Sequence, residues 1–408
     1  MRIDRDGRST LRSDPPKSGP LEVTMRQNSR EVFATLLLAS AAVLPTVATA
    51  EDLRPEKVTV ARLDAATPRI YAVDIAINHI VDGRAYVLNP ETLEMIGLIG
   101  TGFAGQFYVP KGRDEVYVAT SYYPKLTRGD RSDWLEVYDT QTLELKKEIR
   151  IVSRRAQALN YRPLMQASTD GRFMFVQNAT PATSVTVVDM KAGKQSGEVP
   201  NPGCYGIYPA AAKPSVFSTL CGDGTMRSFT LDAKGAKASA KASAKFFDAD
   251  KDALFLHAEQ DGDTLWFVSF QGVVHKVSIA GETATVEDSF ALAKDVEGDW
   301  RPGGYQPMAL DAKAGMLYVL MHKGGAEGSH KNPAEEIWAI DLKAKKVAGR
   351  SPTQPATTLA ILPGAKPALF GVNPIDAAVI RYDIEAGGAV KETKTAKVGE
   401  AVIQLEGK

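Results

Sequence analysis

The feature that most constrains this chain is a strand, turn, strand unit that returns about every 49 residues. From Asp133 to Ile151, Trp134, Glu136 and Tyr138 alternate with Leu135, Val137 and Asp139. Thr140-Gln141-Thr142 then reverses the chain, and Leu143, Leu145 and Ile149 begin a second run. Period-two alternation on both sides of a short polar turn predicts an antiparallel hairpin. The unit recurs with Asn89, Asp139, Asp189, Asp232, Ser278, Asp341 and Asp383 in its turn, at intervals of 50, 50, 43, 46, 63 and 42 residues. Such a period fits four short strands with their connections. One unit has too little apolar surface to fold alone, and open stacking would leave bare edges, so radial closure is the economical solution. The expected fold is all-β: a seven-bladed β-propeller of four-stranded antiparallel blades over residues 51–408.

Individual strands are legible. Gln106–Val109, Glu115–Tyr122, Trp134–Tyr138 and Glu144–Ile151 are predicted for the second unit, and Phe173–Asn178 and Ser184–Asp189 for the third. A lead-in strand is expected at Lys57–Ala61. Ala233–Lys245, rich in Ala and Lys with no apolar stripe, reads as a solvated loop or an outer edge strand. A short helix is expected within Ser289–Gly298 and a long loop over His322–Glu336. The apolar Ala401–Leu405 is expected to close the ring against the first blade.

A ring of blades evades the size limit of roughly 250 to 300 residues that holds for a single core. The chain has 408 residues, with 49 basic and 49 acidic side chains in no long runs. That balance argues against nucleic acid or anionic lipid as partners. Val32–Val47 is apolar, preceded by Arg26 and Arg30 and followed by Ala48-Thr49-Ala50, so residues 1–50 read as a leader with a secretory signal, the signal proper beginning near Met25. Export makes the two cysteines, Cys204 and Cys221, candidates for a structural disulfide across a hairpin. Two buried free thiols are the alternative.

The chemistry-bearing patterns are weak. Gly100-Thr-Gly-Phe-Ala-Gly105 matches a dinucleotide motif, but a strand follows it where a helix is needed. The glycines read as the crossing from one blade to the next. Asp248, Asp250, Asp252 and Glu259 imitate a calcium loop, yet Ala253 stands where that loop requires Gly, so a solvated acidic turn is expected. His79, His257, His275, His322 and His330 are scattered without zinc spacing and read as surface or packing residues. No nucleophile elbow is present. Trp134, Trp266, Trp300 and Trp338 lie on or beside expected strands, where packing is the default. These residues by themselves describe a scaffold or binding platform; a stand-alone periplasmic binding module and a metal-dependent lactonase are the competing readings.

Several segments, in order along the chain, resemble the heavy subunit of the tryptophan tryptophylquinone amine dehydrogenases. They are Leu126–Asp139, Leu159-Asn-Tyr, Gln177–Ser184, Gly203-Cys-Tyr with Leu220-Cys, Trp300-Arg-Pro-Gly-Gly-Tyr, Met321-His and Gly328–Trp338. Gln177–Ser184 and Gly328–Lys331 look closer to the aromatic amine branch than to the methylamine branch. The resemblance implies a periplasmic heterotetramer of two heavy and two cysteine-rich light chains. The tryptophan tryptophylquinone would be on the light chain, with no cofactor or catalytic residue in this one. It implies oxidation of a primary amine to an aldehyde and ammonia, with electrons passed to a blue copper protein. It matches Phe103 to a side chain at the mouth of the substrate channel, the alternative being ordinary packing, and matches Cys204 and Cys221 to the family's heavy-chain disulfide. Loops near Tyr161, Trp300 and His322 are expected at the light-chain interface.

Overall fold

The computed structural model describes residues 61–158, 160–294 and 296–408. The expected leader over residues 1–50, Leu159 and nearly all of the expected lead-in strand lie outside the described residues. The regular structure among the described residues is antiparallel sheet with four short 3-10 turns. Four-stranded sheets run from Met165–Ala167 to Lys194–Pro200, from Cys204–Pro209 to Ala238–Ala242, from Leu254–Asp261 to Thr285–Ala291 and from Thr358–Leu362 to Val390–Lys397. A fifth sheet begins as two short strands, Trp300–Pro302 and Met308–Asp311, that share the partner Met316–Lys323.

The first six described strands and the last strand, Val402–Gly407, form one path of seven hydrogen-bonded strands, and one strand explains its length. Met95–Tyr108 pairs with Gly83–Leu88 over its first half and with Glu115–Tyr122 over its second. It leaves one ladder and enters the next at Gly102 and Ala104, whose φ angles are +60° and +45°. Glycine is required there by space as well as by angle: a Cβ on Gly102 would sit 2.4 Å from Thr120 Oγ1, and one on Gly105 2.1 Å from Thr101 O. The Gly-x-Gly-x-x-Gly stretch is this crossing, inside a strand. The last strand, Val402–Gly407, pairs antiparallel with the first described strand, Ile70–Asp74.

The seven turn residues sit where the third strand of a ladder meets the fourth. The reason for their chemistry is local. Asn89, Asp139, Asp189, Asp232 and Asp341 each turn a side-chain oxygen back to accept backbone N–H groups two to four residues on, at 2.7–3.1 Å. These bonds satisfy donors that the reversal would leave unpaired.

Strands Glu115–Tyr122, Phe173–Asn178 and Ser184–Asp189 have the expected bounds. Ala238–Ala242 is an exposed edge strand. Two expectations fail. Ser289–Ala291 belongs to the strand Thr285–Ala291, whose alternating exposed and half-buried residues follow the period of a strand, so the expected helix is absent there. The loop after His322 is shorter than expected, because the flanking strands extend to Lys323 and begin again at Ala334.

Candidate functional site

Phe103 opens the second half of the crossing strand, opposite Ser121. Its half-buried ring meets the edge of Tyr123, with centroids 5.4 Å apart. The backbone beneath it is clamped. Arg155, 1% exposed, donates from Nη1 to Ala104 O at 2.8 Å and Ala156 O at 3.0 Å, and from Nη2 to Phe103 O. Asn160 Nδ2 donates to Gly105 O at 3.1 Å, and Gln106 Nε2 to Ala156 O at 3.1 Å. Behind them the buried Asp133 accepts from Arg131 Nε (2.7 Å) and Nη2 (2.6 Å), from Ser121 Oγ (2.7 Å) and from Arg155 N (3.0 Å). Burial pulls the Arg155 guanidinium down to about 10, which leaves it charged at neutral pH. Charge-assisted bonds in a dry setting hold the bulge in one geometry.

Neighbouring ladders continue from this bulge at the same end. Gly83 pairs with Gly102, Asp74 takes the backbone N–H of Ala401, Thr358 Oγ1 donates to Ile403 O, and Ala156 N donates to Gln177 O. Four of the large apolar side chains most exposed among the described residues cap the loops there: Ile77 at 62%, Tyr122 at 45%, Leu126 at 75% and Ile375 at 71%. The disulfide ties the first two strands of the sheet that runs from Cys204–Pro209 to Ala238–Ala242, with Cys204 directly opposite Cys221.

A second cluster has no counterpart in the sequence reading. Arg162 pairs with Glu259 Oε1 from Nη1 at 3.1 Å and with Glu406 Oε1 from Nε at 2.9 Å. His257 Nε2 lies 3.0 Å from Glu259 Oε1, and Gln404 Nε2 donates to Glu406 at 2.8 Å. Burial pushes the Glu406 carboxyl up; Glu259, though also desolvated, is held below its usual range by Arg162 and then His257. Glu259 is therefore no part of an acidic loop with Asp248, which lies half-buried beside Lys245 and Lys251. Among the described residues no three His, Cys, Asp or Glu side chains are grouped to hold a metal. The cluster's ion pairs join residues about 100 to 240 positions apart, so no local pattern announces it.

Trp300 and His322, expected near a partner surface, are each 2% exposed. Trp300 packs on Trp338 at 5.3 Å, and the guanidinium of Arg350 lies 4.7 Å and 4.8 Å from their two ring centroids. Neither ring is open to a substrate.

Residues 65–405 match the family model described as methylamine dehydrogenase heavy chain. The chain belongs to that family. It is 25% identical over 328 residues to the methylamine dehydrogenase heavy chain of Methylophilus methylotrophus, covering 79% of both chains. With the heavy chain of Methylorubrum extorquens the identity is 24%, over 78% of each. Heavy-chain relatives imply a light-chain partner and a place in an oxidoreductase acting on amines. In fold, the chain resembles the periplasmic gluconolactonase of Pseudomonas aeruginosa, with a TM-score of 0.60 at 14% identity over 83% of this chain and 98% of that one. A putative 6-phosphogluconolactonase of Bacteroides fragilis gives 0.60 at 14%, over 85% and 99%. Identity that low carries the fold and nothing of the chemistry.

Proposed function

We propose that this chain is the heavy subunit, without a cofactor of its own, of a periplasmic quinoprotein amine dehydrogenase built from two heavy and two light chains. On this reading the sheets are the blades of a seven-bladed propeller, joined where the last strand pairs with the first. The tryptophan tryptophylquinone is on the light chain, where it accepts two electrons from a primary amine. The amine carbon takes its oxygen from water and leaves as an aldehyde, ammonia is released, and the electrons pass singly to a blue copper protein. The only tryptophans in contact here, Trp300 and Trp338, are sealed under Arg350 and fit no substrate-facing quinone.

The observation that carries the reading is the placement of Phe103. Its backbone is clamped on an end of the sheets whose loops expose Ile77, Leu126 and Ile375, as a wall residue's must be if the reacting centre arrives on another chain. A flat ring fixed to that precision selects amines by shape, at roughly 1–3 kcal/mol per methylene-sized misfit. Closing the partner over it would exclude water from the reacting carbon. The preference for aromatic amines rests on Gln177–Ser184 and Gly328–Lys331; the named relatives are methylamine enzymes.

Co-expression with a small, cysteine-rich light chain tests this. The pair is expected to show a quinone absorbance confined to the companion and to reduce a dye with phenylethylamine in preference to methylamine. Turnover of amines by the heavy chain alone would overturn the division of labour.

A further inference from the structure

A cavity of about 660 Å³ opens among Tyr161, Phe255, Phe270, Tyr305, His330 and His257. Its size and aromatic lining are those of a small-molecule site. Its charged rim cancels, Asp250 and Glu327 against Lys251 and Lys331. Selection therefore falls to the interior. There His257 is 2% exposed and stands out. Its Nε2 lies 3.0 Å from the Glu259 carboxylate and 3.2 Å from Met308 O. Both partners only accept, so in the neutral ring Nε2 carries the proton and Nδ1 is left as an acceptor. That Nδ1 is buried and has no partner. Glu259, held ionised by Arg162, fixes the tautomer in the way a carboxylate orients a working histidine. An unpaired buried acceptor destabilises the empty site, a cost that a ligand donor would recover.

We propose that this cavity, lined by none of the residues that contact Phe103, is a second ligand site for a small, mainly apolar molecule bearing one N–H or O–H donor that His257 Nδ1 accepts. Glu259 lines a different cavity of about 320 Å³ with Arg162, so the bonded pair His257–Glu259 stands between two openings. The site is thus backed by a charged partition, and the donor end of the ligand points at it.

Two probes that lack a hydrogen on the functional carbon cannot be dehydrogenated: α,α-dimethylbenzylamine and 2-phenyl-2-propanol. Calorimetric titration of the full chain, purified with its companion, is expected to find one site per heavy chain for the alcohol, or one beyond the amine site for the ammonium. Which probe binds identifies the donor. His257→Phe and Phe270→Ala are each expected to weaken that binding tenfold or more, with kcat and KM for the oxidised amine unchanged. If His257→Phe fails to fold, Phe270→Ala and Tyr305→Ala decide. No binding by either probe at such a site, or a loss smaller than tenfold in the folded variants, overturns the proposal. Probe binding in a preparation that oxidises no amine would remove the enzymatic reading and leave this one standing.

Discussion

At the scale of single residues, Phe103 owes its position to Arg155. Replacing Arg155 with Met keeps the bulk and removes the donors from Phe103 O, Ala104 O and Ala156 O. Stability is expected to fall by about 3 kcal/mol, the order of cost for leaving buried carbonyls unpaired. The informative measurement is selectivity, the ratio of kcat/KM for two amines one methylene apart. Phe103→Ala is expected to flatten that ratio, Arg155→Met to flatten it partly, and the double variant to match Phe103→Ala alone, because both act through one ring. Strictly additive effects would separate the arginine from the ring. Glu406 gives a pH prediction. It faces Arg162, Glu259, His257 and Tyr108, and its folded-state pKa is raised above the ordinary 4.5. The native state then binds more protons than the unfolded chain, so this group's contribution falls as pH rises above about 4.5. Glu259 is lowered and contributes oppositely, its stabilisation being lost as pH falls. Melting curves from about pH 4 to 8 are expected to show a flatter alkaline decline in Glu406→Gln, with a steeper decline counting against the assignment.

At the scale of strands and turns, the sequence was most readable where chemistry is local. An Asx side chain that caps its own turn leaves a mark at a fixed offset from the strand it ends, which is why Asp139, Asp189 and Asp341 located their strands. Alternation did the same for Phe173–Asn178. Ser289–Ala291 carries no such mark: Ser289 followed by Phe-Ala-Leu-Ala reads as a helix start until its cross-strand partner, Val273–Ser278, is in place. The Arg162, Glu259 and Glu406 cluster was invisible for the same reason on a larger scale: three strands must be assembled before the charges meet. Arg155 falls in the gap between Leu126–Asp139 and Leu159-Asn-Tyr, and no local pattern marks it. The cysteine pair belongs to this scale too. It closes a loop of 17 residues between adjacent strands. Replacing both cysteines with Ser is expected to lower stability by about 3 kcal/mol, the chain-entropy value for a loop near that length. Equal melting temperatures for the double variant and for wild type without reductant would mean the ladder itself, and not the bond, holds that hairpin.

At the scale of the molecule, a chain with no net formal charge has little long-range attraction to offer a partner, so association must rest on apolar contact and fit. Ile77, Leu126 and Ile375 cap loops of three successive ladders at the end that carries Phe103. Their side chains hold nothing in the fold, since each is more than three-fifths exposed. Charge placed there leaves folding alone but must be desolvated on docking, at a cost a mostly apolar contact cannot return. Leu126→Asp combined with Ile375→Asp is therefore expected to keep the wild-type melting temperature while weakening heavy-light association at least tenfold, read by sedimentation of the purified subunits at graded concentration. Loss of heavy-heavy association with the heavy-light pair intact would give this face to a second copy of the chain. Unchanged assembly would free it of any partner, and Phe103 would then have no covering chain to wall.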